Sequence, residues 1–320
     1  MLISTLYDII NLYKINDAGG LKMKILVSGL VNIETTVAVR GFPIDYFPID
    51  FNFFGINSNV SGVGYNIAKA LKALGGEVNL LSFIGNDEEG ERILARMKKD
   101  GIDSKNISQS LKSTPVSAVL YDAEGKRQIY CDLKDIQEQS IDIKSAENAL
   151  KSCEAAVLCN IEFNRGLIKS AGNYGVLTAT DVHVLSDIED DYNRDFMENA
   201  DILFLSDENL PCPAEAFIKK LHDRYNNKII VIGMGKNGAV LLDGESGEIC
   251  VIPAYKGVKP VNTVGAGDAL FSAFLHYYLK IKNPREALER AVVFAGIKIG
   301  SDGASNGFST EAEIEAVFNS

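Results

Sequence analysis

The residues of this chain best suited to chemistry lie in one run, Val261-Asn262-Thr263-Val264-Gly265-Ala266-Gly267-Asp268, which leads directly into an apolar helical segment. Two glycines free the backbone to turn sharply and let a ligand approach where a Cβ would stand in the way. The amides of Gly265, Ala266 and Gly267 then meet a helix N-terminus, where unpaired N–H groups and the helix dipole favour an anion. Such a nest fits a phosphate, and equally the charge that develops on a phosphoryl group in transfer. Asp268, in the first helical turn, is a carboxylate beside that anion and can accept the proton of an attacking hydroxyl. A bare Gly-x-Gly with an acidic N-cap is also ordinary helix punctuation, so the run alone does not choose between the two. No Gly-Lys-Ser/Thr follows, which excludes a Walker loop, and the run does not open the chain's first βα turn as a dinucleotide fingerprint does.

The fold that must position this run is built from 320 residues, 46% apolar and 23% charged, the balance of a globular chain with a substantial core. The net charge of −11 argues against a nucleic-acid partner, because affinity for a phosphate backbone comes mainly from Lys and Arg. No stretch reaches the roughly 18 to 20 uninterrupted apolar residues of a membrane span. The five cysteines are scattered without a Cys-x-x-Cys pair, which reads as reduced thiols of a cytoplasmic protein. Three histidines without ligand-like spacing leave little room for His-based metal chemistry. Leu2 to Leu12 is apolar but lacks a basic start, so residues 1–22 read as an N-terminal extension and 23–320 as a single domain.

From Met23 onward, short β-branched runs alternate with helical periodicity, the signature of an α/β fold with a mostly parallel sheet. Strands are expected at Lys24–Gly29, Glu77–Ile84, Ala155–Leu158, Val176–Thr180, Ile202–Leu205 and Ile229–Ile232, and a hairpin over 238–252. Helices are expected at Gly64–Leu74, Glu91–Met97, Ala269–Leu279 and Pro284–Ile297, with a last turn from Thr310. Two segments break the rhythm. Thr35–Asn59 carries Tyr46, Phe47, Phe51, Phe53 and Phe54, and Pro115–Asp132 alternates like a hairpin turning at Asp122–Gly125. Together they make a small β layer, whose aromatics either fill the core or face outward as a flap over a ligand or a second subunit.

The string Asn-Thr-Val-Gly-Ala-Gly-Asp-Ala-Leu-Phe at 262–271 resembles the C-terminal signature of the ribokinase-like (PfkB) carbohydrate and nucleoside kinases. Ser61-Gly-Val-Gly-Tyr-Asn-Ile-Ala68 resembles the family's Gly-Gly-x-x-x-Asn-x-Ala, with serine for the first glycine, and Gly85-Asn-Asp-Glu-Glu-Gly90 its Gly-x-Asp-x-x-Gly. The resemblance runs from about Met23 to the end of the chain. It implies a three-layer ribokinase-like fold with a mostly parallel central sheet, flanking helices and a small β-sheet lid, its lid segments near 35–59 and 115–132.

The resemblance implies Asp268 as catalytic base, with the Gly265, Ala266 and Gly267 amides as anion hole. It further implies Asn32, Glu34, Gly62, Asn66 and Glu162 toward the substrate, with Asp181 a similar strand-end carboxylate. Thr263, Gly233, Gly235, Gly238 and Ala295 would lie along the nucleotide. Glu34 stands where the family often has Asp, so the reach toward a hydroxyl changes. The family's Asn-x-x-Glu for the Mg²⁺ shell reads Ser206-Asp207-Glu208-Asn209, leaving Asp207 and Glu208 as metal candidates. Its usual Thr-x-Gly reads Gly233-Met234-Gly235. The loop Ser301–Asn306 resembles the place where many members bind a monovalent cation. The implied cofactors are ATP and Mg²⁺, and the implied partners a sugar or nucleoside and a second copy paired through the lid.

The activity implied is transfer of the γ-phosphoryl of Mg-ATP to a hydroxymethyl group. Nucleoside-type members, simple hexose or ribose kinases, and sugar-phosphate kinases using Arg40, Lys126 and Arg127 all remain open as substrate classes. A different class, a non-catalytic sugar or nucleoside sensor that keeps the fold, is favoured by the changes at 206–209 and Gly233 and disfavoured by the intact Asp268 run.

Overall fold

The computed structural model describes residues 22–318, so apart from Lys22 the N-terminal extension expected over 1–22 lies outside the described residues. The strands, in chain order, are β1 (Lys24–Ser28), β2 (Asn32–Ala38), β3 (Ile56–Ser61), β4 (Glu77–Gly85), β5 (Ile107–Leu111), β6 (Val116–Tyr121), β7 (Arg127–Asp132), β8 (Ala155–Leu158), β9 (Leu177–Val184), β10 (Ile202–Ser206), β11 (Ile229–Gly233), β12 (Ala239–Asp243) and β13 (Ile249–Ile252). Among the described residues they form a nine-stranded sheet in the order β13-β12-β11-β10-β9-β8-β1-β4-β5 and a four-stranded sheet in the order β3-β2-β6-β7.

The large sheet is parallel from β11 through β5, and only β12, paired to both β11 and β13, runs antiparallel. Helices cover both faces. The helices Val63–Ala73, Ala266–Ile281 and Pro284–Lys298 contribute to one apolar cluster, and the helices Ile143–Lys151, Arg165–Ala171, Arg194–Asn199 and Ala214–Tyr225 to the other. Burial on both sides explains why β8, β10 and β11 read as continuous apolar runs rather than alternating ones. No helix among the described residues is long and apolar enough to cross a membrane.

Among the boundaries that differ from the sequence expectation, two do so for clear local reasons. The helix expected from Glu91 begins at Glu88, because the Asp87 carboxylate caps it by accepting the Gly90 N–H at 2.9 Å. Strand β9 runs four residues beyond Thr180 through Asp181 and His183, polar residues at which an apolar pattern stops but sheet pairing with β10 does not.

The small sheet stands where the two irregular segments predict it. β2 pairs β3 antiparallel and β6 parallel, and β6–β7 is the expected hairpin. Tyr46, Phe47, Phe51, Phe53 and Phe54 are all exposed, so the aromatics do not fill the core. The small sheet is seated on the glycine-rich run through the buried cluster Val119, Val264 and Ala304. Arg127 of β7 adds a hydrogen bond to the Thr263 carbonyl at 3.4 Å.

Candidate active site

The site lies at the C-terminal ends of the parallel strands, where an open α/β sheet leaves a crevice between loops. Gly265 is the N-cap of the helix Ala266–Ile281, in the left-handed conformation at φ 77°. A Cβ built there would fall 2.5 Å from the Ala304 carbonyl oxygen, so glycine is dictated by both φ and space. The Ala266 N–H closes a turn onto the Thr263 carbonyl at 3.2 Å. The next amides, of Gly267 and Asp268, are first-turn donors for which an α-helix supplies no internal partner. A Cβ at Gly267 would meet nothing within 4 Å, so this stretch of backbone faces open space.

The two sequence motifs meet here. Asn66, on the buried face of the helix Val63–Ala73, donates its Nδ2 to Asp268 Oδ2 at 2.7 Å across 202 residues of chain. The other end of the amide, Oδ1, accepts the Ser61 hydroxyl at 3.3 Å. Gly62 caps this helix at φ 102°, and a Cβ there would lie 2.5 Å from the Leu30 carbonyl. Its missing side chain thus accommodates the chain's own β1–β2 turn. The serine standing for the family's first glycine is absorbed as a second-tier support of Asn66.

Around Asp268 the structure gathers polar groups that its core would otherwise exclude. Asn32 is buried, donates to the Ser117 hydroxyl at 3.0 Å, and leaves its Oδ1 without a partner. An orphan acceptor of this kind is one that a water or a ligand hydroxyl can satisfy. Burial raises the Asp268 carboxyl above the ordinary aspartate range, opposed by the Asn66 hydrogen bond and the charges of His183 and Lys298. Glu34 is pushed up to about 7, first by burial and then by the charge of Asp268.

Glu34 therefore couples folding to pH. Its folded-state value lies above its ordinary 4.5, so its stabilising contribution is complete below 4.5 and is lost as pH rises through about 7. Glu34→Gln removes the charge at nearly the same size. The variant should melt higher than the unmodified chain at pH 8, with the gain vanishing near pH 4; parallel melting curves across that range would rule out the coupling.

Beside the first-turn amides lies a cleft whose apolar walls come from Leu270, Val292, Ala295, Tyr255 and Ile299, and whose floor includes Ala266 and Gly267. Gly233, Gly235 and Gly238 line it from the end of β11 and the turn into β12, so four of the five expected nucleotide positions share one cleft. Thr263 is not among its lining residues. It sits under the lid hairpin instead, its side chain facing Gly125 and its carbonyl taken by Arg127 and Ala266.

Glu162 does not join the cluster either. Arg165, three residues on in the same turn, takes its carboxylate through Nε at 3.0 Å and Nη2 at 2.9 Å. Glu208 is turned toward Arg127 of the lid, at 3.5 Å. Asp207, next to Ser206 in the cleft wall, keeps a carboxyl raised by burial and by Glu208. No group of three or more His, Cys, Asp or Glu residues among the described residues is arranged to hold a metal. Asp207 itself does not line the cleft, so of the two metal candidates neither is placed on its wall.

Two residues were not foreseen. His183 lines the cleft in a left-handed conformation at φ 62°, its N–H held by Asp181 Oδ1 at 2.8 Å. Only an Asp-x-His spacing at a strand end hints at it. Lys298, in the last turn of the helix Pro284–Lys298, is fully buried behind the glycine-rich run. A lysine closing an otherwise apolar string, Val292 to Ile297, was its one sequence signal.

Known proteins share this architecture along nearly the whole chain. Ribokinase of Schizosaccharomyces pombe is 24% identical over 316 residues, covering 93% of this chain and 98% of its own. The solved structure of a microbiome-derived acarbose kinase superposes with a TM-score of 0.83 at 23% identity, covering 94% of this chain and all of its own. That of an Escherichia coli ribokinase II in complex with ATP and Mg²⁺ gives 0.75 at 20% identity, covering 93% and 99%. The family model described as "pfkB family carbohydrate kinase" matches residues 22–311. With nine-tenths of its length matched, and with the family's two signature strings hydrogen-bonded to each other, this chain belongs to the pfkB family of carbohydrate kinases.

Proposed function

We propose that the chain transfers the γ-phosphoryl group of ATP to a hydroxymethyl hydroxyl of an unphosphorylated sugar or nucleoside, with Asp268 as the base. The observation that carries this reading is the Asn66–Asp268 hydrogen bond at 2.7 Å. It holds one carboxylate oxygen so that the other can take a proton, beside unpaired helix amides on one side and the polar pair Asn32 and Glu34 on the other. The acceptor hydroxyl gives its proton to Asp268, its oxygen forms the new bond to the γ-phosphorus, and the bond to the ADP oxygen breaks. The amides of Gly267 and Asp268 favour the charge gathering on the transferred group. Mg²⁺, when bound, neutralises phosphate charge. The lid excludes water that would otherwise hydrolyse the nucleotide.

An unphosphorylated acceptor is favoured because the three cations the sequence offers for a substrate phosphate are engaged. Arg40 pairs with Asp50 at 2.6 Å, Arg127 with Glu208 at 3.5 Å, and Lys126 lies over the Phe42 ring at 5.6 Å. The ribokinase and acarbose-kinase relatives support a sugar hydroxyl. The decisive measurement is ADP release against a panel of sugars and nucleosides, with the product checked for one added phosphate. Acceptor-dependent turnover is expected; saturable acceptor binding without any turnover would replace this reading by the sensor one.

A further inference from the structure

Lys298 is fully buried, with 0% of its surface exposed. Transferring an ammonium out of water is costly unless it finds partners of the right kind. Its Nζ donates to the Gly303 carbonyl at 2.9 Å and to the Val264 carbonyl. The titratable and charged groups that act on it are Asp268, Glu34 and Asp302, all opposite in charge, and Arg127, like in charge.

The Val264 carbonyl is the peptide oxygen immediately before the N-cap Gly265. In a trans peptide the C=O and the following N–H point to opposite sides of one rigid plane. Tying that oxygen to Lys298 therefore fixes where the Gly265 N–H points and at what angle the chain enters the helix. Other bonds strap the same two segments together. Val261 and Asn262 donate to the Ile299 carbonyl at 2.8 and 3.1 Å, and Asn262 Nδ2 reaches Asp302 Oδ1 at 3.2 Å. The lid joins in from above through Val119 against Val264 and Ala304. Lys298 thus sits at the junction of the anion-binding turn, the Ser301–Asn306 loop and the lid seat.

We infer that Lys298 is a positioning residue, a cation built into the chain that orients the Val264–Gly265 peptide for phosphate binding and makes catalysis independent of any added monovalent cation. The inference rests on the phosphoryl-transfer reading. It departs from the expectation that the 301–306 loop takes up such an ion, because the ammonium already supplies the positive charge to the carbonyls there.

Rates are to be measured at equal ionic strength in choline, sodium, potassium and methylammonium chloride, for the unmodified chain and for Lys298→Ala and Lys298→Met. The unmodified enzyme should differ by less than about twofold between choline and potassium. Lys298→Ala, folded by circular dichroism, should lose about 100-fold in kcat with the acceptor KM changed less than about threefold, as expected when a transition-state contact is misaimed. It should regain at least about tenfold in potassium or methylammonium, whereas Lys298→Met, whose side chain fills the space, should not.

A folded Lys298→Ala with unmodified kcat, potassium activation of the unmodified enzyme by severalfold, or equal rescue of both variants would each overturn the proposal. If Lys298→Ala does not fold, the cation independence of the unmodified enzyme remains the deciding result. If the unmodified chain transfers no phosphoryl group to any acceptor, the proposed function fails and melting temperatures decide the positioning claim. Potassium or methylammonium should then raise the melting temperature of Lys298→Ala above its value in choline and leave Lys298→Met unmoved; no difference between the two variants overturns it.

Discussion

Asp268→Asn should lower kcat by about 10²- to 10⁴-fold, the range lost when a positioned general base is removed, while the KM values for ATP and acceptor change little. The substitution is nearly isosteric, and an asparagine side-chain oxygen can still accept the Asn66 Nδ2 hydrogen now received at 2.7 Å. What disappears is the capacity to take a proton. Folding should respond in the opposite direction. Burial holds the Asp268 carboxyl above the ordinary aspartate range, which means that the folded chain disfavours its charge. That raised value makes its stability contribution one that is lost as pH rises, so neutral asparagine should raise the melting temperature at pH 8 more than at pH 4. Activity lost together with stability gained marks a group kept charged for function at the expense of the fold. Steady-state kinetics with thermal melts at the two pH values checks both halves. A variant turning over at the unmodified rate removes Asp268 as base, and one that loses activity by unfolding removes the trade-off.

Gly265→Ala should be the most damaging single methyl group in the catalytic run. The residue adopts φ 77°, where an L side chain costs roughly 1–2 kcal/mol. The added Cβ would lie 2.5 Å from the Ala304 oxygen and 2.9 Å from its Cα, and the obstacle is backbone that cannot swing aside. Either the turn or the 301–306 loop must shift. Shifting the turn misaims the first-turn amides, and losing one such donor costs on the order of 10²- to 10³-fold in kcat. Gly267→Ala is the matched control for the fold. Its Cβ meets nothing within 4 Å, and alanine in the first helical turn is a better helix former by about 0.5–1 kcal/mol. Gly265→Ala should therefore melt lower and Gly267→Ala at least as high as the unmodified chain. Equal melting of the two would mean that the Ala304 contact does not constrain the turn.

The comparison of these two glycines shows where sequence reading stops. Both stand in one short string, and the string alone assigns them the same role in one nest. Only the position of Ala304, 39 residues away along the chain, separates a glycine needed by the fold from one open to a ligand. Glu162 makes the same point in reverse. It is a carboxylate a few residues beyond a strand of the large sheet, as Glu34 is, yet Arg165 one turn later occupies it.

By itself the sequence determined whatever depends on neighbours within a few residues. Strand and helix order follow from periodicity and punctuation, the sharp turn into a helix from Gly-x-Gly-Asp before an apolar run, and the small second sheet from two segments that fit neither period. These signals are local because helix and turn hydrogen bonds close within about four residues. Tertiary structure alone decided which distant groups share the site. The Asn66–Asp268 bond, the seat of the lid on Val264, the burial that lifts Glu34 to about 7, and the ammonium of Lys298 behind the turn all depend on the order of strands in the sheet. A titratable side chain carries no mark in its own sequence of how much water it will lose or which charge it will face. Those two quantities set its chemistry, and both belong to the folded chain.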